Sequence, residues 1–155
     1  MKRITIITGE YPPMQGGVGD YTRQLAQAVV AQGDYEVHVV TKYLPQRPNL
    51  ERAGNITVHR LISHWGWRTR SNVESINRVY PPDVVNIQYQ AAAYQMHPAI
   101  NLLPAMLARR VPTWVTFHDL KVPYLFPKAG PLRWKAIVNM AKSATGCIVT
   151  NTEDF

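Results

Sequence analysis

The sequence predicts an α/β domain built on a doubly wound, mostly parallel sheet with helices on both faces. Three observations carry that reading. Short β-branched apolar runs recur along the chain, as strands require. Stretches with apolar residues at helical spacing separate most of them. Glycines and prolines mark the boundaries. Strands that are apolar throughout and alternate with helices form parallel sheets covered on both sides. Right-handed crossovers make the arrangement Rossmann-like. At 155 residues the chain suffices for one domain, burying about 68–70% of its unfolded surface.

The elements follow in order. Arg3 to Thr8 is the first strand, closed by Gly9. Gly19 to Gln32 is a helix with Val18, Tyr21, Leu25, Ala28 and Val29 on its apolar face. Gly33 stands where a left-handed residue ends a helix. Glu36 to Thr41 is the second strand, Lys42 to Asn55 a loop with two prolines, and Ile56 to Ile62 the third strand. A short helix over Ser71–Val79 stops at Pro81-Pro82, and Asp83 to Gln88 is the fourth strand. His97 to Arg109 is a helix with Pro98 in its first turn and cations at its end. Pro112 to Phe117 is the fifth strand, Pro131 to Ala144 a helix, and Gly146 to Thr150 the sixth strand. Asn151 to Asp154 reads as the opening of a further helix. The expectation is a truncated piece of a longer protein.

The formal net charge of +7 favours anionic partners: phosphates, nucleotides, acidic lipids or nucleic acid. The single cysteine, Cys147, excludes an internal disulfide and suits a reducing cytoplasm; it reads as a small buried hydrophobe. No run reaches the roughly 18–20 apolar residues of a membrane span. The apolar stretch after Met1-Lys2-Arg3 is too short for a secretory signal. The five histidines are scattered without the paired spacing of metal ligands, so no metal and no cofactor is expected.

The loop Gly9 to Gly19 leaves the first strand at the carboxyl edge of the sheet, where doubly wound folds bind ligands. Gly16 and Gly17 lack a Cβ, which allows close approach to a ligand and positive φ. The following helix aims free N–H groups at the same place, forming an anion site. A plain flexible turn fits the local pattern equally well. No GxGxxG follows the first strand, no acid for a ribose follows the second, and no Walker sequence is present.

Those residues carry a resemblance. The pattern PPxxGGVGxYxxxLAxA over Pro12–Ala28, followed by the VHVVT strand over Val37–Thr41, resembles the N-terminal domain of family 4 glycosyltransferases, which have the GT-B fold. "PTWVTFHDL", Pro112 to Leu120, resembles that family's strand ending in His-Asp, and "PPDVVNIQYQ", Pro81 to Gln90, is a third match. Asp34-Tyr35 departs from the family's Gly-His at the opposite end of the sheet.

The resemblance implies two Rossmann-like domains facing across a cleft, with the acceptor on this side. The donor, a nucleotide-diphosphate sugar, would be held mainly by a C-terminal domain bearing a Glu-x7-Glu motif. The glutamates Glu10, Glu36, Glu51, Glu74 and Glu153 do not have that spacing. The donor half is therefore expected to be missing and the fragment alone inactive. The resemblance makes the enzyme retaining. It implies that His118 contacts the donor sugar and supports an oxocarbenium-like transition state, and that Gly16, Gly17 and Gly19 face the diphosphate or the acceptor hydroxyl.

From the residues alone, His118 is either a ligand-edge imidazole or a satisfied structural histidine. Asp119 orients it, joins the acceptor site or caps the next turn. His64 to Arg68 supplies Trp67 to stack on a sugar and, with Arg70, Arg68 to meet a phosphate; a hydrophobic flap is the alternative. Gln88, Tyr89 and Gln90 end the fourth strand and are candidates for acceptor hydroxyls. Trp134, Ile137, Val138 and Ala141 form one face of a helix rimmed by Arg133, Lys135 and Lys142. That helix packs on the sheet or lies on an anionic membrane. The expected partners are a nucleotide sugar and a saccharide or lipid-linked acceptor, in the cytoplasm, with peripheral contact at the inner membrane face as an option. A nucleic-acid module rests on charge alone and lacks an RNP pattern or zinc ligands. A nicotinamide oxidoreductase lacks its fingerprint.

Overall fold

A computed structural model of the chain describes residues 1–118 and 130–150. Seven strands form one sheet: β1 Lys2–Thr8, β2 Tyr35–Lys42, β3 Leu50–Ala53, β4 Ile56–Ile62, β5 Val84–Tyr89, β6 Thr113–Phe117 and β7 Gly146–Val149. Among the described residues four α-helices join them: α1 Gly17–Ala31, α2 Thr69–Val79, α3 Ala99–Leu107 and α4 Gly130–Ser143. The strand order is β3-β4-β2-β1-β5-β6-β7. Every pairing is parallel except β3 with β4. With β3 set aside, the order is that of a Rossmann-like doubly wound sheet.

Side-chain alternation sorts the two layers. Ile6, Val37, Val39 and Val58 point to α1, where Ala26, Leu25 and Val29 meet them. Ile7, Val40, Val85, Ile87 and Val115 point the other way, against Val73 and Ile76 of α2, Ile100, Leu103 and Leu107 of α3, and Ile137 and Met140 of α4. Neighbouring residues of one strand thus feed opposite cores, as the period of two requires.

Several expectations change. The segment read as a loop contains β3, an antiparallel edge strand. Its hairpin turns on Gly54, at φ 58°, and the Gly54-Asn55 pair was the available signal. β4 carries an irregularity: Thr41 pairs with Arg60 but Lys42 with Ile62. Leu61 is the extra residue, and the bulge returns Ile62 to the core. Helix α1 begins at Gly17, and its packed face is Val18, Thr22 and Ala26. Tyr21 and Ala28 fall outside that face, because a helix that also buries Gly19 is rotated toward its smallest residues. On α4 Ile137 and Met140 are buried and Ala141 packs against the same cluster, as expected for Ile137 and Ala141, while Trp134 is exposed. Cys147 is exposed on β7 rather than buried: it is in register with Val115 and its Sγ lies 3.7 Å from the Ala141 carbonyl of α4, but β7 ends the described sheet and has no neighbouring strand on its outer side. Gly33 does adopt the left-handed conformation, at φ 108°. Asp119 and the stretch 151–155 lie outside the described residues.

Candidate active site at the carboxyl edge of the sheet

Strand β1 lies between β2 and β5, and the chain crosses the sheet in opposite senses on either side of it. The carboxyl ends of β1 and β5 therefore frame the crevice where such folds bind ligands. Gly9 ends β1 because a Cβ there would sit 2.5 Å from the Ala93 carbonyl oxygen. That carbonyl belongs to the 3₁₀ turn Ala91–Tyr94, which follows β5. The Tyr94 hydroxyl is fully buried, 3.0 Å from the Ile7 carbonyl and 2.8 Å from that of Gln88. It joins the two strands at the crevice. Nothing in the sequence around Tyr94 signalled this.

The loop from Glu10 to Gly16 is fixed by three contacts. The Thr8 hydroxyl donates to the Glu10 carbonyl at 2.8 Å. The Met14 amide donates to Tyr11 at 3.2 Å, and Arg60 donates to the Pro12 carbonyl. Gly16 and Gly19 serve space, not conformation. Gly16 is extended at φ 167°, and neither Gly16 nor Gly17 uses the left-handed conformation that glycine allows. A Cβ on Gly16 would fall on the Glu10 carboxylate, and one on Gly19 would lie 3.3 Å from the Glu10 carbonyl oxygen; Gly17 faces open space. Burial raises the Glu10 carboxyl above its usual range, a hydrogen bond from the Val18 backbone opposes this, and the charge of Asp20 adds to it. A carboxylate thus lies at the start of α1, where the helix dipole favours negative charge.

His118 follows β6 at the same edge. Its amide donates to Tyr89 at 3.1 Å, and its Nε2 lies 2.7 Å from Gln88 Oε1. Gln88 is fully buried and in register with Thr8 of β1. Its amide nitrogen donates to Asn86 Oδ1, and Asn86 Nδ2 donates to Thr116 Oγ1 at 3.0 Å. With the two amides oriented this way Gln88 Oε1 is the acceptor and His118 Nε2 the donor, which leaves Nδ1 to accept. Burial lowers the His118 pKa, so the ring is neutral at pH 7. The Tyr21 ring, on the second turn of α1, meets the imidazole edge-on at 4.8 Å. The helix that begins in the glycine loop therefore touches His118.

The other candidates separate. Gln88 is interior, with its side-chain oxygen against His118. Tyr89 is 3% exposed, with its hydroxyl 3.1 Å from Asn101 Nδ2, and belongs to the core. Both are buried for one reason: β5 is central, so its side chains on both faces are covered. Trp65 is 3% exposed and packs edge-on against Tyr94 at 4.6 Å, a flap residue. Trp67 is 66% exposed and meets His97 edge-on at 5.4 Å. Arg68 is exposed at the start of α2, whereas Arg70 pairs with Glu74 at 2.9 Å. Scattered in sequence, His38 and His59 come together at 2.8 Å between ring nitrogens. No group of three or more potential metal ligands forms among the described residues. No helix there is long and apolar enough to cross a membrane.

The model of a family described as "Glycosyl transferase 4-like domain" matches residues 16–154. Among solved structures, sucrose-phosphate synthase from Thermosynechococcus elongatus is similar at 17% identity and a TM-score of 0.78, over 99% of this chain and 43% of that one. The chain thus spans less than half of that relative. A DNA/pantothenate metabolism flavoprotein from Streptococcus pneumoniae is similar at 12% identity and a TM-score of 0.52, over 99% of this chain and 82% of that one. At these identities both likenesses concern the fold. No curated protein matches the sequence.

Proposed function

The chain belongs to the glycosyl transferase 4-like family, and on that premise we propose that it is the N-terminal, acceptor-side domain of a retaining GT-B glycosyltransferase. The enzyme moves a sugar from a nucleotide-diphosphate sugar to a saccharide or lipid-linked acceptor. A second domain, across the cleft, holds most of the donor; the 43% coverage of the sucrose-phosphate synthase chain supports that division. The enzyme works in the cytoplasm, with peripheral membrane contact as an option for a lipid-linked acceptor.

The observation that carries this reading is the meeting of His118 with α1 through Tyr21, which brings the imidazole and the glycine loop to one rim. His118 is the catalytic residue. With Nε2 committed to Gln88, its Nδ1 lone pair accepts a hydroxyl of the donor sugar. That partial negative charge stabilises the oxocarbenium-like transition state. The leaving diphosphate takes the electron pair of the breaking bond to the anomeric carbon and the proton of the acceptor hydroxyl, whose oxygen forms the new bond to that carbon. The amides at Gly16, Gly17 and Gly19 and the start of α1 face that charge. Because the Glu10 carboxylate lies against Gly16, the diphosphate enters by displacing it. Trp67 offers an exposed ring to an acceptor pyranose and Arg68 a cation to an acceptor phosphate; Asp119 remains an acceptor-side candidate.

The test is sugar transfer by the protein joined to its donor-binding half, assayed with uridine, guanosine and adenosine diphosphate sugars. His118→Ala is expected to lower kcat by about 100-fold or more with an unchanged circular dichroism spectrum. Undiminished turnover in that variant refutes the assignment.

A further inference from the structure

Arg60 is a full charge almost wholly inside the protein, at 1% exposure. Burying a guanidinium is costly unless its donors are matched. Its Nε donates to Glu51 Oε1 at 3.1 Å, and Glu51 arrives on β3. Its Nη2 donates to the Pro12 carbonyl, and its Cζ lies 5.9 Å from the centre of the Tyr11 ring. Nη1 has no hydrogen-bond partner among the described residues. The backbone of Arg60 is itself fixed, its amide donating to the Asn49 carbonyl at 2.8 Å. The bulge at Leu61 follows immediately.

The loop it reaches is short of donors of its own. Pro12 and Pro13 are consecutive and have no N–H, so the backbone of these two residues can hydrogen-bond only through its carbonyl oxygens. Arg60 supplies a donor from below. Its position is in turn set by Glu51, which gives the edge strand β3 a purpose that its small contribution to the core does not.

We infer that Arg60 is a positioning residue that holds the Glu10–Gly17 loop in its ligand-ready shape, with Glu51 as the group that aims it. The inference rests on the reading of that loop as one wall of the transfer site. A lysine at position 60 retains the charge opposite Glu51 but not the fork that reaches both partners. Methionine retains most of the length and none of the donors. Glu51→Gln removes the counter-charge but keeps an Oε1 acceptor for Nε, so the aim of Arg60 and its bond to Pro12 are retained.

Amide hydrogen exchange distinguishes these cases by location. The reporting amides are Met14, whose partner is Tyr11, and Asp20, whose partner is Gly16. Ile6 and Ile87, within the parallel ladder, report the core. In Arg60→Lys and Arg60→Met, exchange at Met14 and Asp20 is expected to quicken tenfold or more while Ile6 and Ile87 change less than threefold. Glu51→Gln, at an equal shift in urea midpoint, is expected to quicken the loop less than threefold. Loop exchange that follows the core in every variant, or that is unchanged in both Arg60 variants, overturns the inference. In the transfer assay, Arg60→Lys is expected to lower kcat about tenfold and Glu51→Gln less than threefold. A loosened loop in a protein that transfers no sugar overturns the glycosyltransferase reading and leaves the role of Arg60 standing. Active transfer with unchanged loop exchange does the reverse.

Discussion

Acid is expected to destabilise this protein through the buried pair His38 and His59. His38 is fully buried and His59 is 3% exposed. His38 Nε2 lies 3.0 Å from Glu36 Oε1, and His38 Nδ1 lies 2.8 Å from His59 Nε2. The Tyr80 ring packs against both imidazoles, at 4.4 and 5.4 Å. The carboxylate accepts from His38 Nε2, which leaves Nδ1 to accept from His59, so protonating His38 would set two N–H groups against each other. Burial, the charge of His38 and that of Arg52 lower the His59 pKa from 6.5 to about 4. Between those pH values the unfolded chain binds a proton that the folded chain refuses. Stability therefore falls with acidification, by about 1.4 kcal/mol per pH unit and about 3 kcal/mol across the window. That is a large share of an ordinary folding free energy of roughly 5–15 kcal/mol. The assay is urea unfolding at several pH values between 7.5 and 4.5, on the parent and on His59→Gln, which keeps an N–H donor and does not titrate. The variant is expected to be the less stable protein at pH 7.5, with the gap narrowing by about 2.5 kcal/mol at pH 4.5. A gap of the same size at both pH values would falsify the reasoning.

The two glycines of the loop are expected to differ. Gly17→Ala points a methyl into open space at the start of a helix and is expected to leave thermal stability unchanged or raise it by up to about 1 kcal/mol; a clear loss contradicts the open geometry. Gly16→Val places its side chain on the Glu10 carboxylate and is expected to weaken nucleotide-diphosphate binding measured by calorimetry, whereas unchanged affinity counts against the loop's assignment. Tyr94→Phe removes the hydroxyl that joins Ile7 and Gln88 and is expected to cost about 1–3 kcal/mol in urea unfolding; a neutral result means that the two carbonyls are satisfied elsewhere.

Much of the architecture was legible along the chain because it is written in local pattern. The alternation that sends Ile6 to α1 and Ile7 to the opposite layer is visible in the apolar runs themselves. The left-handed Gly33 and the boundaries of β4 follow from neighbours a few residues away. Reading failed where a distant partner decides. β3 is polar and short, and only its pairing with β4 makes it a strand. Trp67 and Trp65 are two residues apart, yet one is exposed and the other in the core, because Tyr94 covers only the second.

The candidate site divides in the same way. The sequence by itself determined that an imidazole and a glycine loop would stand at the carboxyl rim of a parallel sheet, since strand polarity follows from the order of strands and helices. Tertiary structure alone decided that Gln88 holds His118, that Tyr21 reaches it, and that Arg60 and Glu51 lie beneath the loop. These contacts join residues on separate strands and helices. Their geometry depends on strand register and helix rotation, which packing sets across the whole sheet and no local stretch encodes.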